Sequence, residues 1–187
     1  MIEIKNLSFS FGNEVIFENL NAVVPQNGVT CFIGKSGCGK STLVDIITGL
    51  KKVQSGEIIN TFKTVAVVFQ EDRLLPWCSV YDNVKLVSDE ETAKKCLSLV
   101  KLSESLYKYP DELSGGMKRR CALARALAFN SDLLILDEPF NGIDDETKDD
   151  IIDIIEEFSK DKAVIFISHN QDEIKKLGDK VIEIAKK

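Results

Sequence analysis

Apolar and polar positions alternate along the first part of the chain, as they do in a half-buried β-strand. The apolar positions of this first strand are Ile2, Ile4, Leu7 and Phe9. A turn at Gly12-Asn13 separates it from a second strand predicted over residues 15–24. This part of the chain is therefore predicted to form antiparallel β-structure.

From residue 29 onward, short apolar runs alternate with segments of helical period. Strands are predicted at 29–33, 133–136, 163–167 and 180–184, and helices at 41–50, 114–129, 147–158 and 171–177. Buried apolar strands that alternate with helices favour a parallel sheet of the α/β class.

Two further segments lie between these elements. Residues 58–69 contain one or two strands, and about fourteen residues separate Ser55-Gly56 from Gln70, so we expect a compact β-hairpin there. Residues 80–106 are helical and polar. We therefore predict one domain over residues 1–187, in which a helical subdomain at about 78–128 is inserted in the α/β core.

The composition is that of an ordinary globular protein, with 187 residues, of which 44% are hydrophobic and 29% charged. The net charge is −6 and no basic stripe is present, so no nucleic-acid partner is expected. The five cysteines form no CxxC pair, which predicts a reduced, cytoplasmic protein without a structural zinc. No apolar run is long enough to span a membrane, and the N-terminus lacks the pattern of a signal peptide. Membrane contact is therefore expected only through a protein partner.

A phosphate-binding loop is predicted where the strand at 29–33 ends. GKSGCGKS fits the pattern G-x-x-x-x-G-K-[ST], between an apolar strand and a helix. Its glycines let backbone N–H groups face phosphate oxygens, Lys40 reaches the β- and γ-phosphates, and the Ser41 hydroxyl can ligate Mg²⁺. The predicted nucleotide-binding residues of the loop are Gly34, Lys35, Ser36, Gly37, Cys38, Gly39, Lys40, Ser41 and Thr42.

Two adjacent carboxylates end the apolar run LLILDE. Asp137 can hold Mg²⁺ through a water, and Glu138 can polarise an attacking water as a general base. Many strands end in an acidic residue, so this pair indicates a catalytic site only because the chain also has the phosphate-binding loop. No good match to [NT]KxD is present, which argues against a guanine nucleotide.

A second anion-binding segment, LSGGM, opens the helix at 114–129. Ser114, Gly115 and Gly116 present backbone N–H groups at the positive end of that helix. One small chain thus carries two cradles for phosphate.

With GKSGCGKS, LSGGM and LLILDEP in this order, nearly the whole chain resembles the nucleotide-binding subunit of ATP-binding cassette (ABC) transporters. The resemblance implies that Gln70, after VAVVF, contacts Mg²⁺ and the attacking water and senses the transporter partner. It also implies that His169, in VIFISHN, holds the γ-phosphate, that Asp144, in NGID, communicates across a dimer, and that Phe11 stacks on adenine.

The same resemblance explains the two cradles. It implies a head-to-tail dimer formed with ATP, in which LSGG of one copy covers the ATP that the phosphate-binding loop of another copy holds. Ser114 and the amides of Gly115 and Gly116 would then donate to the γ-phosphate of the partner's ATP. The family's usual fifth residue of this segment is glutamine, and here it is Met117.

The segment EDRLLPW after Gln70 resembles importers of the nitrate, sulfonate and taurine group. The resemblance implies membrane permease subunits that dock nearby, an external substrate-binding protein, and a location on the inner face of the cell membrane. Leu74, Leu75 and Trp77 are alternatively core residues of the helical subdomain. We expect Trp77 to be at least partly solvent-accessible.

Three functions remain open at the level of sequence. The first is a transporter ATPase, and the second is a soluble ABC-type ATPase, although those carry coiled-coil insertions or tandem cassettes that this chain lacks. The third is an adaptor that binds ATP without turnover, against which the presence of both Glu138 and His169 argues.

Overall fold

The computed structural model describes residues 1–185, so the last two residues of the predicted domain lie outside the described part. The strands are β1 (Ile2–Phe11), β2 (Glu14–Val24), β3 (Gly28–Ile33), β4 (Ser55–Asn60), β5 (Val65–Val68), β6 (Leu133–Asp137), β7 (Ala163–Ile167) and β8 (Lys180–Glu183). The helices are α1 (Lys40–Ile47), α2 (Val80–Lys85), α3 (Glu90–Leu99), α4 (Gly115–Ala128), α5 (Asp145–Ser159) and α6 (Gln171–Leu177). None of these helices has the length and apolar character needed to cross a bilayer.

The strands form two sheets. Five of them make a parallel sheet in the order β5-β6-β7-β3-β8, and the other three make an antiparallel sheet in the order β2-β1-β4. The predicted fold class, a parallel α/β core with an N-terminal antiparallel part and a helical part, is confirmed.

The expected β-hairpin before Gln70 is wrong. Strand β4 pairs antiparallel with β1, whereas β5 pairs parallel with β6, so the two consecutive strands belong to different sheets. The physical reason is their difference in burial. The residues of β4 are mostly exposed, which suits the edge of the antiparallel sheet, whereas Ala66 and Val68 of β5 are buried and need cover within the parallel sheet.

The parallel sheet separates two apolar cores. In β6, Leu134 and Leu136 point into a core shared with α2 to α6, whereas Leu133 and Ile135 point into a core shared with α1, β1 and β2. Because successive side chains of a strand point to opposite faces, a continuous apolar run is what a strand covered on both faces requires.

Helices α2, α3 and α4 fall within the predicted subdomain at about 78–128. Each begins at a polar cap whose side chain accepts a backbone N–H: Ser79 caps α2, Asp89 caps α3 and Ser114 caps α4. Buried side chains of all three helices share one core with the parallel sheet. The subdomain boundary itself stays a prediction.

Candidate active site

A cleft of about 730 Å³ lies at the carboxyl ends of the parallel strands. Side chains and loops that follow β3, β5, β6 and β7 meet there, because parallel strands all end at the same edge of the sheet. The cleft is lined by Phe11, Ile16, Ser36, Gly37, Gly39, Lys40, Ser41, Thr42, Gln70, Asp137, Glu138, Asn141 and His169. Eleven of these thirteen positions are sequence-predicted site residues that the fold brings together.

The loop between β3 and α1 is held tightly by its own residues. Gly39 has φ of +102°, and a Cβ at this position would lie 2.4 Å from Ile16 Cγ2, so only glycine fits. The Lys40 side chain is buried, and its Nζ donates to the carbonyl oxygens of Gly34 at 2.9 Å and Lys35 at 3.2 Å. The ammonium group is thereby placed inside the curve of the loop.

Two oxygen-bearing side chains meet on the floor of the cleft. The Ser41 hydroxyl donates to Asp137 Oδ2 at 3.1 Å. Burial raises the pKa of the Asp137 carboxyl above its ordinary value, while the bond from Ser41 and the charge of Lys40 act in the opposite direction. Hydroxyl and carboxylate oxygens are the ligands that Mg²⁺ prefers, and the two residues therefore fit that ion.

Glu138 sits in a left-handed backbone conformation, with φ of +50°. Its N–H donates to the Ile167 carbonyl at 2.9 Å, which fixes the residue against the end of β7. Its Oε1 lies 3.4 Å from His169 Nε2, but without hydrogen-bond geometry, so this buried oxygen has no hydrogen-bond partner among residues 1–185. Burial raises the pKa of Glu138, and His169 partly offsets this rise. A buried carboxylate oxygen of this kind is suited to accept a hydrogen bond from a group in the cleft.

The segment that carries His169 is anchored from α6. Ser168 donates its hydroxyl hydrogen to Glu173 Oε2 at 2.6 Å, and it accepts the N–H of Asn170 at 3.0 Å. Glu173 is buried and also lies 3.6 Å from Lys148 Nζ of α5. The imidazole of His169 itself is half-exposed at the cleft.

Phe11 and Gln70 lie on the cleft wall. The Phe11 ring is 47% exposed and meets the Phe9 ring edge-on, with centroids 5.1 Å apart. One face of such a ring can stack on a planar base. Gln70 reaches the cleft from the loop after β5, and its carbonyl oxygen accepts a hydrogen bond from the Arg119 guanidinium of α4.

Several predicted residues lie elsewhere in the same chain. Lys35 and Cys38 line a second cleft, together with Glu183 and Ile184. Ser114, Gly115, Gly116 and Asp144 do not line the cleft. Ser114 and Gly115 are exposed at the start of α4, and the Asp144 carboxylate caps α5 by accepting the N–H of Thr147 at 2.9 Å.

Two cleft residues received no role from the sequence. Asn141 belongs to the segment NGID, in which only Asp144 was assigned, and its N–H lies 3.4 Å from the Glu138 carbonyl oxygen. Ile16 is an ordinary strand residue, and nothing in its sequence context distinguishes it. Its contact with the loop becomes visible only when β2 is packed against Gly39.

The sequence matches the family model described as "ABC transporter" over residues 17–141. Among curated proteins, the aliphatic sulfonates import ATP-binding protein SsuB of Zymomonas mobilis is 35% identical, over 99% of this chain and 82% of the relative. The nitrate import ATP-binding protein NrtD of Synechococcus elongatus is 37% identical, over 91% and 70%. The taurine import ATP-binding protein TauB of Rhizobium johnstonii is 38% identical, over 87% and 69%.

Solved structures of ATP-binding cassettes have the same fold as this chain. The dimeric ATP-binding cassette MJ0796 bound to ADP and Pi superimposes with a TM-score of 0.87 at 28% identity, covering 100% of this chain and 95% of that one. A second dimeric structure of the same cassette gives a TM-score of 0.82 at 27% identity, covering 98% and 94%. The family model, the curated relatives, the fold and the cleft agree, and the chain therefore belongs to the ABC transporter family, as an ATP-hydrolysing, ATP-binding cassette.

Proposed function

We propose that this ATPase energises a membrane importer, and that it hydrolyses ATP at sites formed between two copies of the chain. The observation that carries the proposal is the gathering of Lys40, Ser41, Asp137, Glu138 and His169 in one cleft. These five side chains come from the ends of three different strands, and together they match the needs of phosphoryl transfer.

The phosphate-binding loop receives the triphosphate. Its backbone N–H groups and the Lys40 ammonium, which two loop carbonyls hold inside the curve of the loop, bind the β- and γ-phosphate oxygens. Ser41 and Asp137 would hold Mg²⁺, with Gln70 at the same end of the cleft. When bound there, Mg²⁺ would supply positive charge that offsets the negative charge of the phosphate oxygens. Phe11 stacks on the adenine ring at the outer wall.

Glu138 acts as the general base. Its carboxylate takes a proton from a water whose oxygen attacks the γ-phosphorus, and the bond to the oxygen that bridges the β- and γ-phosphates breaks, which releases ADP and phosphate. Burial, which raises the pKa of Glu138, makes its carboxylate a stronger base than an exposed one. His169, beside Glu138, donates to the γ-phosphate.

A second copy of the chain completes each site. Ser114 and Gly115 are exposed and lie away from the cleft of their own chain, so they are placed to act on a different molecule. In a head-to-tail dimer, they would cover the γ-phosphate bound by the partner, and Asp144 would face the same interface. The two dimeric cassettes to which this chain is similar support such an arrangement.

Import is the direction that the relatives favour. Their names describe import of aliphatic sulfonates, nitrate and taurine, and identity to them is 35–38% over most of the chain. Trp77 is 73% exposed, whereas Leu74 is packed partly against the helical core. Trp77 therefore forms an apolar anchor for permease subunits at the inner face of the membrane. An external substrate-binding protein would deliver the cargo.

Two other functions are distinguished by experiment. A soluble ABC-type ATPase would have the same cleft but no permease, so co-purification with a membrane subunit separates it from an importer. A nucleotide-gated adaptor would bind ATP without hydrolysing it. The buried Glu138 oxygen beside His169 favours turnover over such an adaptor.

The direct test of hydrolysis is Glu138→Gln. The amide keeps the shape of the side chain but cannot accept the proton, so ATP binding is retained while turnover falls by about 10² or more. Phosphate release, calorimetric ATP affinity and elution on a sizing column measure turnover, binding and accumulation of the ATP-bound dimer. Glu91→Gln, at an exposed position of α3, is the matched control. Unchanged turnover in Glu138→Gln would refute the role of Glu138.

A further inference from the structure

A buried arginine of α4 holds the loop that carries Gln70. The Arg119 side chain is only 5% exposed. Its guanidinium donates from Nη1 to the Phe69 carbonyl at 2.5 Å, and from Nη2 to the Gln70 carbonyl. Two consecutive backbone carbonyls are thus bound by one planar group, and the backbone that sets the direction of the Gln70 side chain is fixed from α4.

The next residues of the loop are held by the same helix. Arg119 Nε lies 3.3 Å from Asp72 Oδ1, and neither buried atom has a hydrogen-bond partner in the described part of the chain, so their attraction is that of an ion pair. One and a half turns further along α4, Arg125 donates to the carbonyls of Asp72 at 3.4 Å and Arg73 at 3.0 Å. Side chains of α4 therefore bind the loop at Phe69, Gln70, Asp72 and Arg73.

This arrangement requires an arginine at position 119. A buried charge is costly unless it is paired and hydrogen-bonded, and this guanidinium binds two backbone carbonyls through Nη1 and Nη2 and pairs with Asp72 through Nε. Lysine would keep the positive charge near Asp72 but, as a compact point charge, could not bind two carbonyls in a fixed plane.

We propose that Arg119 is a positioning residue that makes α4 and the Gln70 loop move as one body. Ser114 caps the start of α4, so a phosphate bound there and the Gln70 side chain in the cleft are linked through the helix and the Arg119 guanidinium. When the ATP held by a partner copy binds against Ser114, α4 moves, and the Gln70 loop moves with α4. This inference rests on the role proposed above for Gln70.

A double-mutant cycle between Arg119 and Gln70 tests the link. Arg119→Lys should lower kcat by about tenfold with KM and ATP affinity changed less than about twofold, since ATP is bound by other residues. In a Gln70→Ala background, the same substitution should have almost no further effect, because residues that act through one another are not additive. Arg120→Gln is the control, since Arg120 lies next to Arg119 in α4 but donates to the carbonyls of Val100 and Lys101.

Amide hydrogen exchange at residues 69–73 tests whether Arg119 holds the loop, independently of whether it affects turnover. Arg119→Lys should speed exchange in this loop while the parallel strands keep their protection. Equal losses of kcat in both backgrounds, or unchanged exchange of the loop, would overturn the inference. If Gln70→Ala alone leaves turnover unchanged, the role proposed for Gln70 is wrong, and the exchange data still decide whether Arg119 holds the loop.

Discussion

At the scale of the residue, backbone carbonyl groups hold two reactive residues of the cleft in place. Lys40 is held by two loop carbonyls, and Glu138 is held by the carbonyl of Ile167. The carboxylates at the strand end are buried, which raises the pKa of both Asp137 and Glu138. The reactive groups are therefore oriented before a nucleotide arrives, which lowers the cost of organising them during reaction.

Met117 is the residue at which this chain departs from the family's usual signature. Its side chain packs partly against the helical core, and its N–H lies 3.3 Å from the capping Ser114 hydroxyl. We expect Met117→Gln to change ATP turnover by less than about fivefold, because one partly exposed hydrogen bond contributes roughly 1 kcal/mol at most. A steady-state assay of phosphate release checks this. A tenfold gain would mean that methionine weakens the signature.

At the scale of the element, the start of α4 is fixed by a close backbone approach. A Cβ on Gly116 would lie 2.4 Å from the Gly142 carbonyl oxygen, whereas a Cβ on Gly115 would meet no atom within 4 Å. The first turn of α4 thus packs directly on the NGID loop that precedes α5. Gly116 allows the close packing of α4 on this loop, whereas Gly115 leaves the surface at the start of α4 open.

This difference predicts opposite outcomes for one substitution at neighbouring positions. Gly116→Ala should lower the free energy of unfolding by about 1–3 kcal/mol, since the backbone of the NGID loop must move. Gly115→Ala should change it by less than about 0.5 kcal/mol. Denaturant unfolding of both variants measures this. Equal destabilisation of the two would show that α4 does not pack on Gly142 as described.

Elements defined by local pattern could be predicted from the sequence, and those defined by distant pairing could not. The strand at 163–167 and the helix at 171–177 have the predicted bounds, because an apolar run and a helical period are local signals. The pairing of β4 with β1 depends on residues about fifty positions apart. The contacts of Arg119 could not be predicted from the sequence either. Every residue type has a backbone carbonyl that can accept a hydrogen bond, so the residue types at 69 and 70 do not indicate these bonds.

At the scale of the whole molecule, the described surface contains the nucleotide cleft and, apart from the residues that line it, an exposed tryptophan suited to a partner. The expectation that Trp77 is solvent-accessible is confirmed, since 73% of this residue is exposed. The alternative that these residues belong to the core applies in part to Leu74, which is partly buried and packs against the helical core. An exposed tryptophan next to a partly buried leucine is a suitable anchor for a partner.

We expect Trp77→Ala to leave the isolated subunit nearly unchanged and to impair the assembled transporter. The melting temperature should shift by less than about 2 °C, since an exposed side chain contributes little to stability. ATP-driven transport in vesicles should fall by about tenfold or more if the ring is an interface anchor. Leu50→Ala, at a 64% exposed apolar position after α1, is the control. A large loss of stability in Trp77→Ala would mean that Trp77 is a core residue and not an interface anchor.

In the function proposed for this chain, each ATP site is built from two copies. Lys40→Ala removes the loop's ammonium, and Gly115→Asp places a negative charge in open space where the partner's phosphate would approach. Each variant alone should hydrolyse ATP at background rates, since every site in its dimers is defective.

Mixing the two variants should restore turnover. Half of the dimers are then mixed, and one of the two sites in each is intact, so the rate should rise to as much as about a quarter of that of the unaltered protein. If Ser114 and Gly115 instead served the cleft of their own chain, every site would stay defective at any mixing ratio. Recovery of phosphate release on mixing is the predicted result, and its absence would contradict the account.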